Sequence, residues 1–213
     1  MISNIGIYKD TYIYKGDEYN RNNYSELLDN ISKKRRIIFL SQILLIKKYG
    51  FYSSNSGIGN FIEKKINEDF SDKDNFLFSH EYNKKDNIVY LYSIRNNNLI
   101  SLTNDAAELT IEPIQFYIKN KVIKTIKNSK DSNILFKINN IFHVLSLEKG
   151  YIINSVIANN EDEVFKTISL IDDNKLLIID KSINTESLID QVIGFKIKNI
   201  DLVEGIYEKI YRK

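Results

Sequence analysis

Alternation and helical spacing divide the chain into a mixed series of strands and helices. Ile5-Gly6-Ile7 and Tyr12-Ile13-Tyr14 flank Lys9-Asp10 and predict a β-hairpin. A helix is expected from Ser25, its candidate N-cap, with Leu27, Leu28 and Ile31 on one face. Ile37 to Leu40 reads as a short buried strand. The polar stretch Ser53 to Asn60 reads as a loop that leads into a helix bearing Ile58, Phe61, Ile62 and Ile66. Two strands follow, Phe76 to Tyr82 and Asn87 to Ile94, joined by the turn Asn83 to Asp86. Leu99, Leu102, Ala106 and Leu109 fall at helical intervals. Pro113 fits the first turn of a further helix with Ile114, Ile118 and Val122 on its buried face.

Beyond the polar seam Lys127 to Asn133 the pattern changes to three consecutive strands, Ile134 to Ile138, Ile141 to Leu147 and Tyr151 to Ile157. A helix from Glu161 presents Val164, Phe165 and Ile168. Leu176 to Ile179 is wholly apolar, as a strand buried on both faces requires. Helices near Thr185 to Ile193 and Leu202 to Tyr211 flank a strand at Phe195 to Ile200. The order is mixed α/β throughout, with no short-period repeat.

Composition acts mainly by exclusion. Apolar residues at 43% and charged residues at 27% of 213 belong to a globular chain rather than a disordered one. A net charge of +2 gives no global field to recruit nucleic acid, so the 14 Tyr and 11 Phe are assigned to cores and interfaces, not to base stacking. The lack of cysteine rules out a disulfide scaffold, a thiolate zinc site and a Cys nucleophile. Runs of Asn are compositional, in keeping with A+T-rich coding. The N-terminus MISNIGIYKDTYIYKG has no secretory pattern. The longest apolar run, Ile37 to Ile46, falls short of the roughly 20 residues that span a bilayer. KKRR, Lys33 to Arg36, suggests an anionic-lipid or nucleic-acid patch but reads better as a solvated helix end before a strand. A soluble cytoplasmic domain is expected, and the abrupt close IYEKIYRK leaves open a continuation past Lys213.

Candidate chemistry is sparse. Gly57 and Gly59 before a helix could cradle phosphate, but the Gly-Lys-Ser/Thr ending of a P-loop is missing. His80-Glu81 and His143 could ligate metal, yet they lie on separate strands without ligand-spaced partners. Asp172, Asp173 and Lys175 before a strand ending in Asp180-Lys181 match, in type, the carboxylate-plus-lysine sets of metal-dependent nucleases. A polar turn into an apolar strand is by far the better account of them in a chain this rich in Asp and Lys.

From Arg36 to Gln115 the succession RIIFL, IGNFIEKKINEDF, NFLFSHEY, KKDNIVYLYSI and LTNDAAELTIEPIQF resembles the inserted subdomain of the PilM/GspL group, the actin-like proteins of type IV pilus and type II secretion platforms. Ile66-Asn67-Glu68-Asp69 stands at the place of that family's I-x-x-E signature. Leu77 to Tyr82 and Ile88 to Ile94 match its next two strands, and Ala106 to Pro113 the helix and turn that follow. ILFKINNIFHVLSLEKGYIINSVI resembles the opening of a second actin-like half.

The resemblance implies an actin-like (ribonuclease H-like) α/β fold. Its first half is residues 1–127 with a subdomain inserted at about 41–112, and its second half is residues 134–213. Nucleotide-binding members carry Asp-x-Gly at two hairpins, whereas this chain has Tyr8-Lys9-Asp10-Thr11 and Lys137-Ile138-Asn139-Asn140. The late Gly-Gly turn is replaced by Ile179-Asp180-Lys181-Ser182. The implied protein is therefore a scaffold and not an enzyme, with no cofactor or metal, at the inner face of the cytoplasmic membrane. Its implied partners are a membrane-anchored platform protein and the assembly ATPase. An actin-like ATPase with a degenerate site is the alternative, and a nuclease the third. In the family the inserted subdomain holds a peptide of the membrane-anchored partner, which marks Phe76, Phe78, Tyr90 and Tyr92 as candidate partner-binding residues.

Overall fold

The computed structural model describes residues 2–52, 57–96, 99–184, 192 and 194–212. Two five-stranded sheets follow one plan. In the first, β1 (Ser3–Tyr8), β2 (Thr11–Tyr14) and β3 (Asp17–Tyr19) form an antiparallel meander, and α1 (Tyr24–Asn30) leads to β4 (Lys34–Phe39), parallel to β1. The connection beyond β4 carries an insertion: β5 (Leu45–Gly50), α2 (Gly57–Asp69), a 3₁₀ turn at Lys73–Asn75, β6 (Phe76–Asn83), β7 (Ile88–Arg95) and α3 (Ile100–Thr103). The chain then returns as β8 (Glu108–Pro113), parallel to β4, and leaves through α4 (Ile114–Thr125). The second sheet repeats the plan with β9 (Ser132–Ile138), β10 (Ile141–Glu148), β11 (Tyr151–Ala158), α5 (Glu161–Ile168), β12 (Leu176–Asp180) and β13 (Lys196–Ile200), and α6 (Glu204–Tyr211) follows it.

Burial explains the parallel strands. Ile37, Ile38 and Phe39 of β4 and Leu177, Ile178 and Ile179 of β12 are each 0% exposed, as continuous apolar runs inside a sheet must be. Helix α4 buries Ile114, Ile118 and Val122 completely, each worth about 1.5–3 kcal/mol relative to exposure. Helix α6 comes back to the first sheet. A side chain at Gly6 would meet Ile210 at 3.0 Å, so the bare backbone lets the helix approach. Gly16, at φ +84°, donates its N–H to Ile210 O at 3.1 Å and has no room for a Cβ beside Tyr211 O.

The insertion forms a three-stranded antiparallel sheet, β5-β7-β6, with two unlike faces. One face places Tyr49, Phe78, Tyr82, Val89 and Leu91 against Phe61, Ile62 and Ile66 of α2. The other turns toward β11 and α4. There Tyr90 stacks on Tyr151 at 4.9 Å and 13°, and Tyr92 meets Phe116 edge-on at 4.9 Å. Lys119, whose side chain is 4% exposed, pairs with Glu81 at 2.6 Å, and the Tyr92 hydroxyl donates to the same carboxylate at 2.9 Å.

Several elements depart from the sequence reading. The helix expected across Leu99 to Leu109 is only the four-residue α3, and Leu109 belongs to strand β8. Strand β5 has no counterpart in that reading. Lys34, Arg35 and Arg36 lie inside β4 rather than on a helix end, and Arg35 is buried because its guanidinium donates to the carbonyls of Ser32, Leu102 and Asn104. Asn23, not Ser25, stands at the N-cap of α1, without a side-chain capping bond. Pro113 stands at the N-cap of α4, one position before its first turn. The helix expected near Thr185 to Ile193 falls almost wholly outside the described residues.

Candidate functional site

An apolar groove of about 190 Å³ opens where the inserted sheet meets the first five-stranded sheet. β6 and β7 contribute Leu77, Phe78, Ser79, Tyr92 and Ile94, and the β8–α4 corner contributes Ile111, Pro113 and Phe116. The strands that frame it, β6 and β8, are each the outermost of their sheets and pair on one side only. Such edges present unpaired backbone groups to an incoming chain. Beneath the groove the Glu81–Lys119–Tyr92 cluster fixes the inserted sheet to α4. Burial and the Glu81 carboxylate both push the Tyr92 hydroxyl well above the ordinary tyrosine range, so it stays a donor. Ser93, also at the groove wall and 2% exposed, has a hydroxyl with no hydrogen-bond partner among the described residues.

The β1–β2 and β9–β10 turns hold equivalent places in the two sheets. Lys9, Asn139 and Asn140 all take positive φ, the conformation a tight two-residue turn needs. Each turn's amide is met by the protein itself. Lys9 N–H donates to Ser41 Oγ at 2.8 Å, and Asn139 N–H donates to the Tyr207 hydroxyl at 3.2 Å. Tyr211 donates in turn to Asn139 Oδ1 at 2.7 Å, and burial raises its hydroxyl to about 12. Close by, the fully buried His143 of β10 donates Nε2–H to Leu40 O at 3.1 Å, joining the second sheet to the end of β4. Its ring stacks on Phe136 at 4.7 Å, and desolvation lowers its pKa to about 4, so it is held neutral.

No family model and no curated protein matches the chain by sequence. Solved structures do match by shape. A Bacteroides thetaiotaomicron protein with an actin-like ATPase fold and unknown function aligns with TM-score 0.58 at 12% identity, over 98% of this chain and 95% of that one. This chain has the actin-like fold. The PilM–PilN type IV pilus biogenesis complex gives TM-score 0.59 at 7% identity, over 99% and 90% of the two chains. The cytoplasmic domain of EpsL, an inner membrane component of the Vibrio cholerae type II secretion system, gives 0.54 at 6% identity, over 84% and 81%. The sequence-level likeness to the PilM/GspL group and the structural likeness thus point to the same actin-like architecture.

On this actin-like frame the four candidate partner-binding residues divide. Tyr92 reaches the groove with its side chain, whereas Phe78 borders it along the β6 edge and packs its ring on Phe70 on the α2 side. Phe76 packs in a ring cluster with Phe70 and Phe78, and Tyr90 is 1% exposed beneath Tyr151. Leu44, Ile111, Pro113 and Phe116, which complete the groove, carry no sequence signal, because the spacing that runs into β8 imitates a helix. Gly57 and Gly59 open α2 with open space on the side where a side chain would project. His80 is exposed on β6, away from the buried His143. Asp172 accepts from Asn174, which holds its carboxyl below the usual range, and Lys175 reaches Leu147 O at 3.4 Å. Asp180, 2% exposed, accepts from the N–H groups of Ser182, Leu202 and Val203 and so anchors the approach to α6. These acids do not converge, and no cluster of three metal-ligating side chains occurs among the described residues. No helix among them is long and apolar enough to cross a membrane.

Proposed function

We propose that the chain is a cytoplasmic docking module of a pilus or secretion platform, which holds an extended apolar segment of a membrane-anchored partner in the groove between β6 and β8. The observation that carries this reading is the groove itself: an apolar floor bounded by two unpaired strand edges, the arrangement that strand addition exploits. The PilM–PilN type IV pilus biogenesis complex, which shares the fold, supports the reading as a case in which a protein of this fold is found in a complex. The same proposal makes the protein a scaffold rather than an ATPase. A phosphate cradle needs several free amides and a placed acid, and at each turn one amide, that of Lys9 or of Asn139, is taken by a side chain of the protein. The assembly ATPase is the second partner of this reading, and residues 41–112 form its docking subdomain.

Binding of a fluorescently labelled cytoplasmic peptide of a candidate membrane-anchored platform protein, followed by fluorescence anisotropy, tests the proposal. Ser79 is exposed at the groove, so Ser79→Asp adds charge there without touching the core. The expected result is a Kd weakened at least tenfold with an unchanged melting temperature. Equal affinity of wild type and variant overturns the groove assignment.

A further inference from the structure

A second pocket lies on the opposite face of β8. Alternation sends Ile111 and Pro113 to the apolar groove and Glu112 to the other side, where Arg36, Tyr117, Asn120, Lys121, Lys124 and Lys209 complete a polar pocket of about 320 Å³. We propose that this pocket binds the phosphate group of a small soluble anion.

Its charge is local. The whole chain has 30 Lys and Arg against 28 Asp and Glu, yet four basic side chains from three separate elements, β4, α4 and α6, converge here. Glu112 is the one carboxylate that lines the pocket, and Arg36 already holds it, with Nε donating at 2.8 Å. Lys121 is engaged at the margin, donating to Leu202 O at 3.1 Å and lying 3.8 Å from Asp201. Lys124 has no ion-pair partner among the described residues. Lys209 Nζ and the Arg36 guanidinium both lie over the Tyr117 ring, at 4.8 and 5.7 Å from its centre. Lys209 also donates to the Tyr117 hydroxyl at 3.2 Å, so the ring draws cations from two elements to one spot.

Four cations outnumber the carboxylates that face them, Glu112, Asp201 and, against Lys121, Glu204, and the remaining positive charge suits a phosphate, which carries close to two negative charges at neutral pH. Phosphate also supplies the several acceptor oxygens that ammonium and guanidinium donors need, and each such contact is charge-assisted. Of the KKRR run, only Arg36 is used in this way: Lys34 pairs with Glu108, and Arg35 is consumed by backbone carbonyls. The site stands on its own residues and does not depend on the groove.

Titration calorimetry with sodium pyrophosphate at constant ionic strength tests the inference. Lys124 and Lys209 are exposed, so Lys124→Gln with Lys209→Gln keeps the fold, and Lys196→Gln with Lys198→Gln on the exposed strand β13 makes an equal change of charge elsewhere. The expected result is saturable binding by wild type and the β13 variant, weakened at least tenfold in the pocket variant. Absence of saturable heat, or equal weakening in both variants, overturns the inference. So does retention on phosphatidylglycerol vesicles without pyrophosphate binding, since it assigns the charge to a membrane surface instead.

Discussion

The paired turns and the β6–β8 groove differ in what they leave unsatisfied. At each turn one amide is taken up inside the protein: Ser41 accepts from the Lys9 N–H, and Tyr207 and Tyr211 close around Asn139. At the groove two strand edges stay open. The contrast is one of backbone edges, since buried side-chain atoms without a partner among the described residues occur in both regions, His143 Nδ1 at the junction of the two sheets and Ser93 Oγ in the insertion.

The largest effect that can break this comparison lies under the groove. Glu81→Ala strands the Lys119 ammonium in the interior and frees the Tyr92 hydroxyl, and the expected cost is about 3 kcal/mol or more, measured by urea unfolding. A change below about 1 kcal/mol shows that the cluster does not fix the inserted sheet to α4.

His143 probes the junction. Its folded value of about 4 lies below the ordinary 6.5, so its contribution to stability is complete above pH 6.5. As pH falls through that value the unfolded chain takes up the proton first, and about 3 kcal/mol is lost progressively down to pH 4. His143→Gln, which retains a donor for Leu40 O but cannot titrate, should flatten that part of the pH–stability curve. A curve identical to wild type places the histidine elsewhere.

The smallest effect is at the turn. Tyr207→Phe deletes the acceptor for Asn139 N–H and should cost about 1 kcal/mol. A stabilised variant shows that the turn does not rely on α6.

Much of the frame is legible because it is locally written. β9, β10 and β11 follow one another through tight turns, and apolar β12 announces its own burial. β8 is hidden for the opposite reason. Its partner β4 is distant in sequence, with Lys34 opposite Glu108, and ELTIEP exposes half its residues, so three- and four-residue spacings from Leu99 to Leu109 imitate a helix. β5 is hidden too, since LIKKYG lies at a sheet edge and buries no residue fully. The site inherits these gaps. Phe78 and Tyr92 are visible as strand aromatics, but one wall of the groove, Ile111, Pro113 and Phe116, comes from β8 and α4. Alternation tells which aromatics share a face; it does not tell that the Tyr90 face turns inward onto Tyr151.

The central claim is that this actin-like chain accepts a peptide at its groove and no nucleotide at its turns. Melting temperatures measured side by side with saturating partner peptide and with saturating Mg-ATP test it most directly. A ligand at a hundred times its Kd stabilises the folded state by about 2.7 kcal/mol, a clear upward shift. The account predicts that shift with the peptide, its loss in Ser79→Asp, and none with Mg-ATP. A shift with Mg-ATP and none with the peptide contradicts it.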